Sequence, residues 1–165
     1  MALSDFESPA DWGSDLDRRW PVRKVLRSLL VETIQAHGAT GSGGRVLELG
    51  VGDGELMRMV RKVLPDSQLM GIDFEPKLLE HARTLGFDIE LRLQDLTEAD
   101  EWRDRRQSVH LAYSMQTFPD LGGYSAFREV YRHVHDVLVP GGLLLNADFV
   151  VPQSKDDPDN PRRFA

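Results

Sequence analysis

Apolar positions in the first twenty residues keep no period. Phe6, Trp12 and Trp20 are scattered among Asp, Ser, Pro and Gly, so this arm reads as loosely structured. From Pro21 the pattern changes. Val22, Val25, Leu26, Leu29, Leu30, Thr33 and Ile34 recur at three- and four-residue spacings, which predicts an amphipathic helix. Pro21 suits its first turn, and Gly38 with Ala39–Gly44 ends it in a flexible connector. Short apolar runs then alternate with helical stretches. Arg45–Leu49, Gln68–Asp73, Ile89–Gln94, Val109–Met115 and Leu143–Val151 read as strands. Glu55–Leu64, Pro76–Leu85 and Ser125–Leu138 read as helices, the last with Phe127, Val130, Tyr131 and Val134 on one stripe. Pro140-Gly141-Gly142 reads as the turn into the fifth strand. Strands alternating with helices predict right-handed crossovers and a parallel sheet, an α/β fold. The expected organisation is an N-terminal arm and helix (1–37), whose Phe6, Trp12 and Trp20 are expected to serve as a lid over a bound ligand, a core (38–151) and a polar, proline-rich tail (152–165).

Composition removes several function classes. The chain has 165 residues, enough for one domain. Its net charge is −7, from 20 basic and 27 acidic side chains, which disfavours a polyanion partner such as nucleic acid. Trp102 with the Arg103–Arg106 cluster reads as a solvated loop and not as a basic patch. Absence of cysteine excludes disulfides, a zinc–thiolate site and a cysteine nucleophile, and no metal site is expected. No apolar run approaches the ~20 residues that span a bilayer, and the acidic N-terminus has no signal-peptide core. The expectation is a soluble, cytoplasmic protein with no membrane partner.

The most informative segment is Val46–Leu56. A buried strand runs into Gly50, Gly52 and Gly54, and a helix opens directly after them. Such loops bring ligands to the carboxyl ends of strands in open α/β sheets. The dinucleotide fingerprint fails, because its last glycine position is Glu55, and no Lys-Ser/Thr pair follows as a phosphate loop requires. Charge argues further. Between Val46 and Met57 stand Glu48, Asp53 and Glu55 and no base. A pyrophosphate would meet like charge there, whereas a cationic ligand would be attracted.

Glu48-x-Gly50-x-Gly52-x-Gly54 after a first strand resembles motif I of the class I S-adenosylmethionine-dependent methyltransferases. The resemblance continues in order through residues 45–151. Asp73 ends the second strand 19 residues after Gly54, Asp95 ends the third, and Pro140-Gly141-Gly142 precedes the fifth. It implies a Rossmann-like three-layer α/β/α sandwich with a mostly parallel sheet and S-adenosylmethionine as cofactor, S-adenosylhomocysteine being the product. It also implies residue roles. Glu48 would orient the loop and face the cationic end of the cofactor, and Gly50, Gly52 and Gly54 would pass under its methionine part. Asp73 would bind the ribose hydroxyls and Phe74 lie against adenine. Asp95 and the backbone of Leu96 would read the base, and Ser114 and Met115 would flank the sulfonium. The reaction implied is in-line methyl transfer to an O, N or C nucleophile of a small molecule. The alternatives are a non-catalytic cofactor-binding or scaffold domain, or a fragment of a larger methyltransferase.

No catalytic base is assignable. His133 and His135 are expected to be solvated, His81 and His37 lie on helices, and His110 begins the fourth strand. Gln116, Thr117, Asp120 and Tyr124 are the polar candidates near the acceptor. The base-clamping Asn/Asp-Pro-Pro-aromatic motif of amino-methylating nucleic-acid enzymes is absent. The family's strands 6 and 7 have no counterpart either. Strand 5 is therefore expected to be an open edge, covered by further chain or by a second copy in a homodimer.

Overall fold

The computed structural model describes residues 3–37, 43–86, 88–98 and 106–148. Gly38 and residues 39–42 of the connector, Trp102, positions 103–105 of the arginine cluster, residues 149–151 and the tail lie outside them.

The arm expected to be loose carries an α-helix, α1 (Pro9–Arg19), after a 3-10 turn at Leu3–Asp5. Ser8 caps it: the Asp11 N–H donates to Ser8 Oγ at 3.2 Å, and Ser8 Oγ donates back to Asp11 Oδ2 at 2.6 Å. Pro9 at the first position and Arg18 and Arg19 in the last turn complete the end chemistry. Next comes α2 (Val22–His37), then β1 (Arg45–Leu49), α3 (Glu55–Val63), β2 (Gln68–Asp73), α4 (Pro76–Thr84) and β3 (Glu90–Leu93). β4 (Val109–Met115) leads through a 3-10 turn at Phe118–Leu121 to α5 (Tyr124–Val137) and β5 (Leu138–Ala147).

The five strands are all parallel, in the order β3-β2-β1-β4-β5. Side chains alternate across the sheet and build two cores. On one face Val46, Leu111 and Tyr113 pack against α2, α3 and α4 through Ile34, Val60 and Leu79. On the other face Leu47, Leu49, Ile72 and Ala112 pack against Val130, Val134 and Val137 of α5. This is the three-layer sandwich expected.

β5 departs from the expected boundaries. It starts at Leu138, so Pro140-Gly141-Gly142 lies inside the strand and not before it. Val109 pairs with Leu138 but Leu111 pairs with Leu143. The intervening residues bulge out because proline cannot donate to a ladder and Gly141 stands at φ 79°. β5 is an edge strand among the described residues and has no charged side chain between Leu138 and Ala147.

Candidate cofactor site

β1 and β2 end side by side, and the glycine loop is wired between them. The N–H groups of Gly50 and Val51 both donate to the Ile72 carbonyl (2.8 and 3.2 Å), and that of Gly54 to the Val51 carbonyl. The Gly52 N–H donates to Asp73 Oδ2 at 2.9 Å, and Asp73 Oδ1 accepts from the Glu75 N–H at 2.9 Å. An anion cradle needs unengaged N–H groups. Here four of the loop's donors are turned inward, so the geometry strengthens the charge argument against a phosphate ligand.

The loop is also fixed by its neighbours. Gly50 stands at φ 75°, and a Cβ there would collide with the Thr117 side chain. Thr117 crosses above it and donates its hydroxyl to the Leu49 carbonyl at 2.9 Å. Glycine at position 50 is thus required by close packing as well as by backbone conformation. At Gly54 the Cβ position is taken by Leu85 and Ala82 of the α4 end. Gly52 faces outward, with the Trp12 ring 3.6 Å from where its Cβ would be. Gly13 presses on Asp53 so closely that any side chain there would overlap the carboxylate. α1 therefore lies flush on the outer face of the loop.

Carboxylates dominate the site. Glu48 is 1% exposed and accepts the Tyr113 hydroxyl at 3.1 Å. Burial holds its carboxyl well above the usual carboxylate range; the Tyr113 hydroxyl opposes this, and the nearby Asp53 and Asp73 charges add to it. Burial likewise raises the Tyr113 hydroxyl, with the Glu48 charge adding. Asp73 is also raised by burial, and the N–H groups of Gly52 and Glu75 oppose the shift. Asp95 Oδ1 accepts from the Thr97 N–H (2.8 Å) and hydroxyl (2.7 Å), forming a turn after β3 with Leu96 inside it. Phe74 is 72% exposed beside Asp73. Ser114, next to last in β4, has its Oγ buried and unpartnered, while Met115, the last, points to the opposite, α2 face and packs against that core.

Those residues suit the cofactor the family uses. Carboxylates at Asp73 and Asp95 can accept from hydroxyl and amine hydrogens, the acidic surround suits a cation, and the orphaned Ser114 Oγ calls for a partner. Among the described residues no group of three or more His, Cys, Asp or Glu side chains could hold a metal ion. No described helix is long and apolar enough to cross a membrane.

Sequence reasoning missed the helix that carries Trp12, the Arg23–Arg27 pair and the burial of His133. Trp12 covers the loop through a helix signalled only by Ser8-Pro9-x-Asp11. Arg23 and Arg27, each 7% exposed, converge on Asp17 Oδ1 at 3.0 and 2.6 Å; charged residues on an apolar stripe concealed them. His133, expected to be solvated, is 3% exposed, because the α5 stripe rotates it onto the sheet beside Val130 and Val134.

A recess of about 920 Å³ opens at the opposite, amino end of the strands, lined by Arg45, Arg61, Asp66, Gln68, Asp88 and Arg92. Arg61 is engaged there with the Pro65, Ser67 and Asp88 carbonyls, a structural tie between the β2 start and the β3 start.

Comparison with known proteins agrees with this site. A family model described as "Methyltransferase domain" matches residues 46–142. A demethylmenaquinone methyltransferase of Thermus thermophilus is 30% identical over 112 residues, 66% of this chain and 48% of that protein. The solved structure of Streptomyces venezuelae DesVI superposes with TM-score 0.67 at 19% identity, over 89% of this chain and 60% of the other. A structure described as an S-adenosylmethionine dependent methyltransferase from Mesorhizobium loti is 29% identical with TM-score 0.53, over 68% and 49%. The chain spans about half the length of the curated relatives it matches. With the family model covering the loop, four strands with the start of the fifth, and the carboxyl-edge acids together, the chain belongs to the class I S-adenosylmethionine-dependent methyltransferases, and S-adenosylmethionine is its cofactor.

Proposed function

We propose that the chain takes S-adenosylmethionine at the carboxyl ends of β1, β2 and β3 and passes its methyl group to an O, N or C nucleophile of a small molecule. The observation that carries the reading is the inward-wired glycine loop ringed by Glu48, Asp53 and Asp73. Asp73 is assigned to the ribose hydroxyls and Phe74 to the adenine face. Asp95 and Leu96 are assigned to the adenine edge, and Gly52 to the methionine part. Glu48, Ser114 and Met115 are assigned to the sulfonium side.

When bound, the cofactor supplies an electrophilic methyl on a sulfonium whose leaving group is neutral. The protein's task is then alignment of nucleophile, methyl and sulfur, an orientation effect of ~7–11 kcal/mol. Thr117, Gln116 and Ser114 sit at the β4 end where such alignment is needed. The small-molecule class is supported by the Thermus relative, which is named for demethylmenaquinone. Because the match covers half of those relatives, we place the rest of the acceptor wall across the β5 edge. Further chain or a second copy about a two-fold axis would supply it.

Calorimetry with S-adenosylmethionine and S-adenosylhomocysteine is the test. Binding of both supports the reading, and binding of neither overturns it. Binding of both with no methyl transfer to any hydroquinone, sugar amine or phenol offered would favour the non-catalytic alternative.

A further inference from the structure

α5 carries one buried basic side chain. His133 Nδ1 lies 3.3 Å from the Leu96 carbonyl oxygen, and its Nε2 lies 3.2 Å from Arg132 Nη2. A guanidinium has only donors. Nε2 must therefore accept, and the ring proton sits on Nδ1, where the Leu96 carbonyl receives it. Glu129 Oε2 stands 3.9 Å from Nε2, on the side where Arg132 is bound to it. The Nδ1–H tautomer is thus favoured by Arg132 on the same helix and by the Leu96 carbonyl across the core.

The carbonyl it reaches belongs to the turn after β3. That turn is tied to β2 through the Gln94 N–H, which donates to the Asp73 carbonyl at 3.0 Å. It is tied within itself by Asp95 and Thr97. His133 supplies a side-chain tie from the helical layer beneath, 37 residues away in sequence. Leu96 itself is 6% exposed and packs in the same core as Val130 and Val134. Removing a donor from a buried carbonyl leaves that acceptor unsatisfied, and the turn must then move or hydrate. A displacement of about 1 Å is enough to spoil a site that reads a base by hydrogen bonds.

We infer that His133 is a positioning residue that holds the Asp95–Leu96 turn in its base-reading conformation and so sets the base selectivity of the cofactor site. The inference rests on the proposed assignment of Asp95 and Leu96 to adenine. Adenine and hypoxanthine differ at the edge this turn faces, one offering an amine and the other a carbonyl. A correctly held turn distinguishes them, and a loosened one does so poorly.

The experiment compares S-adenosylhomocysteine with its hypoxanthine counterpart, S-inosylhomocysteine, by calorimetry on the wild-type chain, H133F and H133Q. Phenylalanine keeps the volume and loses the donor; glutamine restores an N–H. H133F should bind S-adenosylhomocysteine roughly tenfold more weakly, the effect of one lost hydrogen bond to a buried carbonyl. It should also lose most of the adenine preference, and H133Q should recover part of both. Nitrogen NMR of the histidine ring in the wild-type chain should report the Nδ1–H tautomer. V137A, a core truncation one turn further along α5, should leave the preference unchanged. A folded H133F with wild-type preference, or an Nε2–H tautomer, overturns the inference. A wild-type chain that binds S-adenosylhomocysteine without preferring it overturns the adenine assignment and the inference with it. A wild-type chain that binds neither compound overturns the cofactor reading as well.

Discussion

Arg23 reaches across 93 positions of sequence to donate its Nη1 hydrogen to Gln116 Oε1 at 2.6 Å. Gln116 stands at φ 60°, a left-handed conformation uncommon for a residue with a side chain. Such strain persists where surroundings over-determine it. The same guanidinium holds Asp17 through Nε, so one buried cation ties α1, α2 and the segment after β4 together. R23A leaves Asp17 to Arg27 alone and removes the donor to Gln116, and should cost ~1–3 kcal/mol of stability. R23K keeps the charge without the fork, so its melting temperature should fall less than its cofactor affinity or transfer rate. Paired thermal melts and calorimetry check this; equal losses in both would reduce Arg23 to a structural tie.

Asp73 serves the loop and, by proposal, the ribose. D73A should weaken S-adenosylmethionine binding at least tenfold, since each charge-assisted hydrogen bond lost contributes ~1.5–3 kcal/mol. Circular dichroism must show the variant folded. A folded D73A with unchanged affinity removes the ribose assignment.

Glu48 makes stability depend on pH in a direction opposite to that of an ordinary paired carboxylate. Burial holds its folded value above the ordinary 4.5. The protonated group therefore favours the fold below that value, and this contribution is lost as pH rises through the raised folded value. E48Q keeps an acceptor for Tyr113 and removes the charge. It should melt higher than wild type at pH 8, by the equivalent of ~1 kcal/mol or more, and about equally at pH 4. Identical pH slopes for the two proteins would refute the buried charge.

Trp12 and Gly13 seat α1 on the loop that would carry the cofactor's methionine part. Residues 1–20 should therefore be cleaved more slowly by protease when S-adenosylhomocysteine is present, and Trp fluorescence should change on its addition. W12A should abolish most of that protection. An arm cut at one rate with and without the ligand is no lid.

Among the described residues the β5 edge is unpaired and carries no charge from Leu138 to Ala147, so it should self-associate. Light scattering over a concentration series is expected to show mass rising above 18.7 kDa. A monodisperse monomer at high concentration contradicts the open edge.

Most strands and helices were legible because their apolar periods are long and uninterrupted; β4 falls on its expected residues, Val109–Met115. α1 was illegible by that criterion. Only Gly13, Asp15 and Leu16 of it are buried, and it is held by caps and charge, not by an apolar stripe. β5 was misplaced because Pro-Gly-Gly reads locally as a turn, while the ladder to β4 resumes on both sides of it. The acids at the β2 and β3 ends were found from order along the chain. The convergence of Arg23, Arg27 and Asp17 could not be, since one-dimensional spacing carries no sign of a long-range ion pair.

Thr117 closes over Gly50 and is anchored to the Leu49 carbonyl, so the turn after β1 and the turn after β4 are a single mechanical part. Change has little freedom there: enlarging position 50 expels Thr117, and altering Thr117 removes its tie to the turn after β1. Diversification is then channelled to surfaces that can change without disturbing that joint, namely the outer side of α1 and α2 and whatever lies against β5. Sequences of close kin should record this as a fixed pair of positions, 50 and 117, beside surfaces that drift more freely.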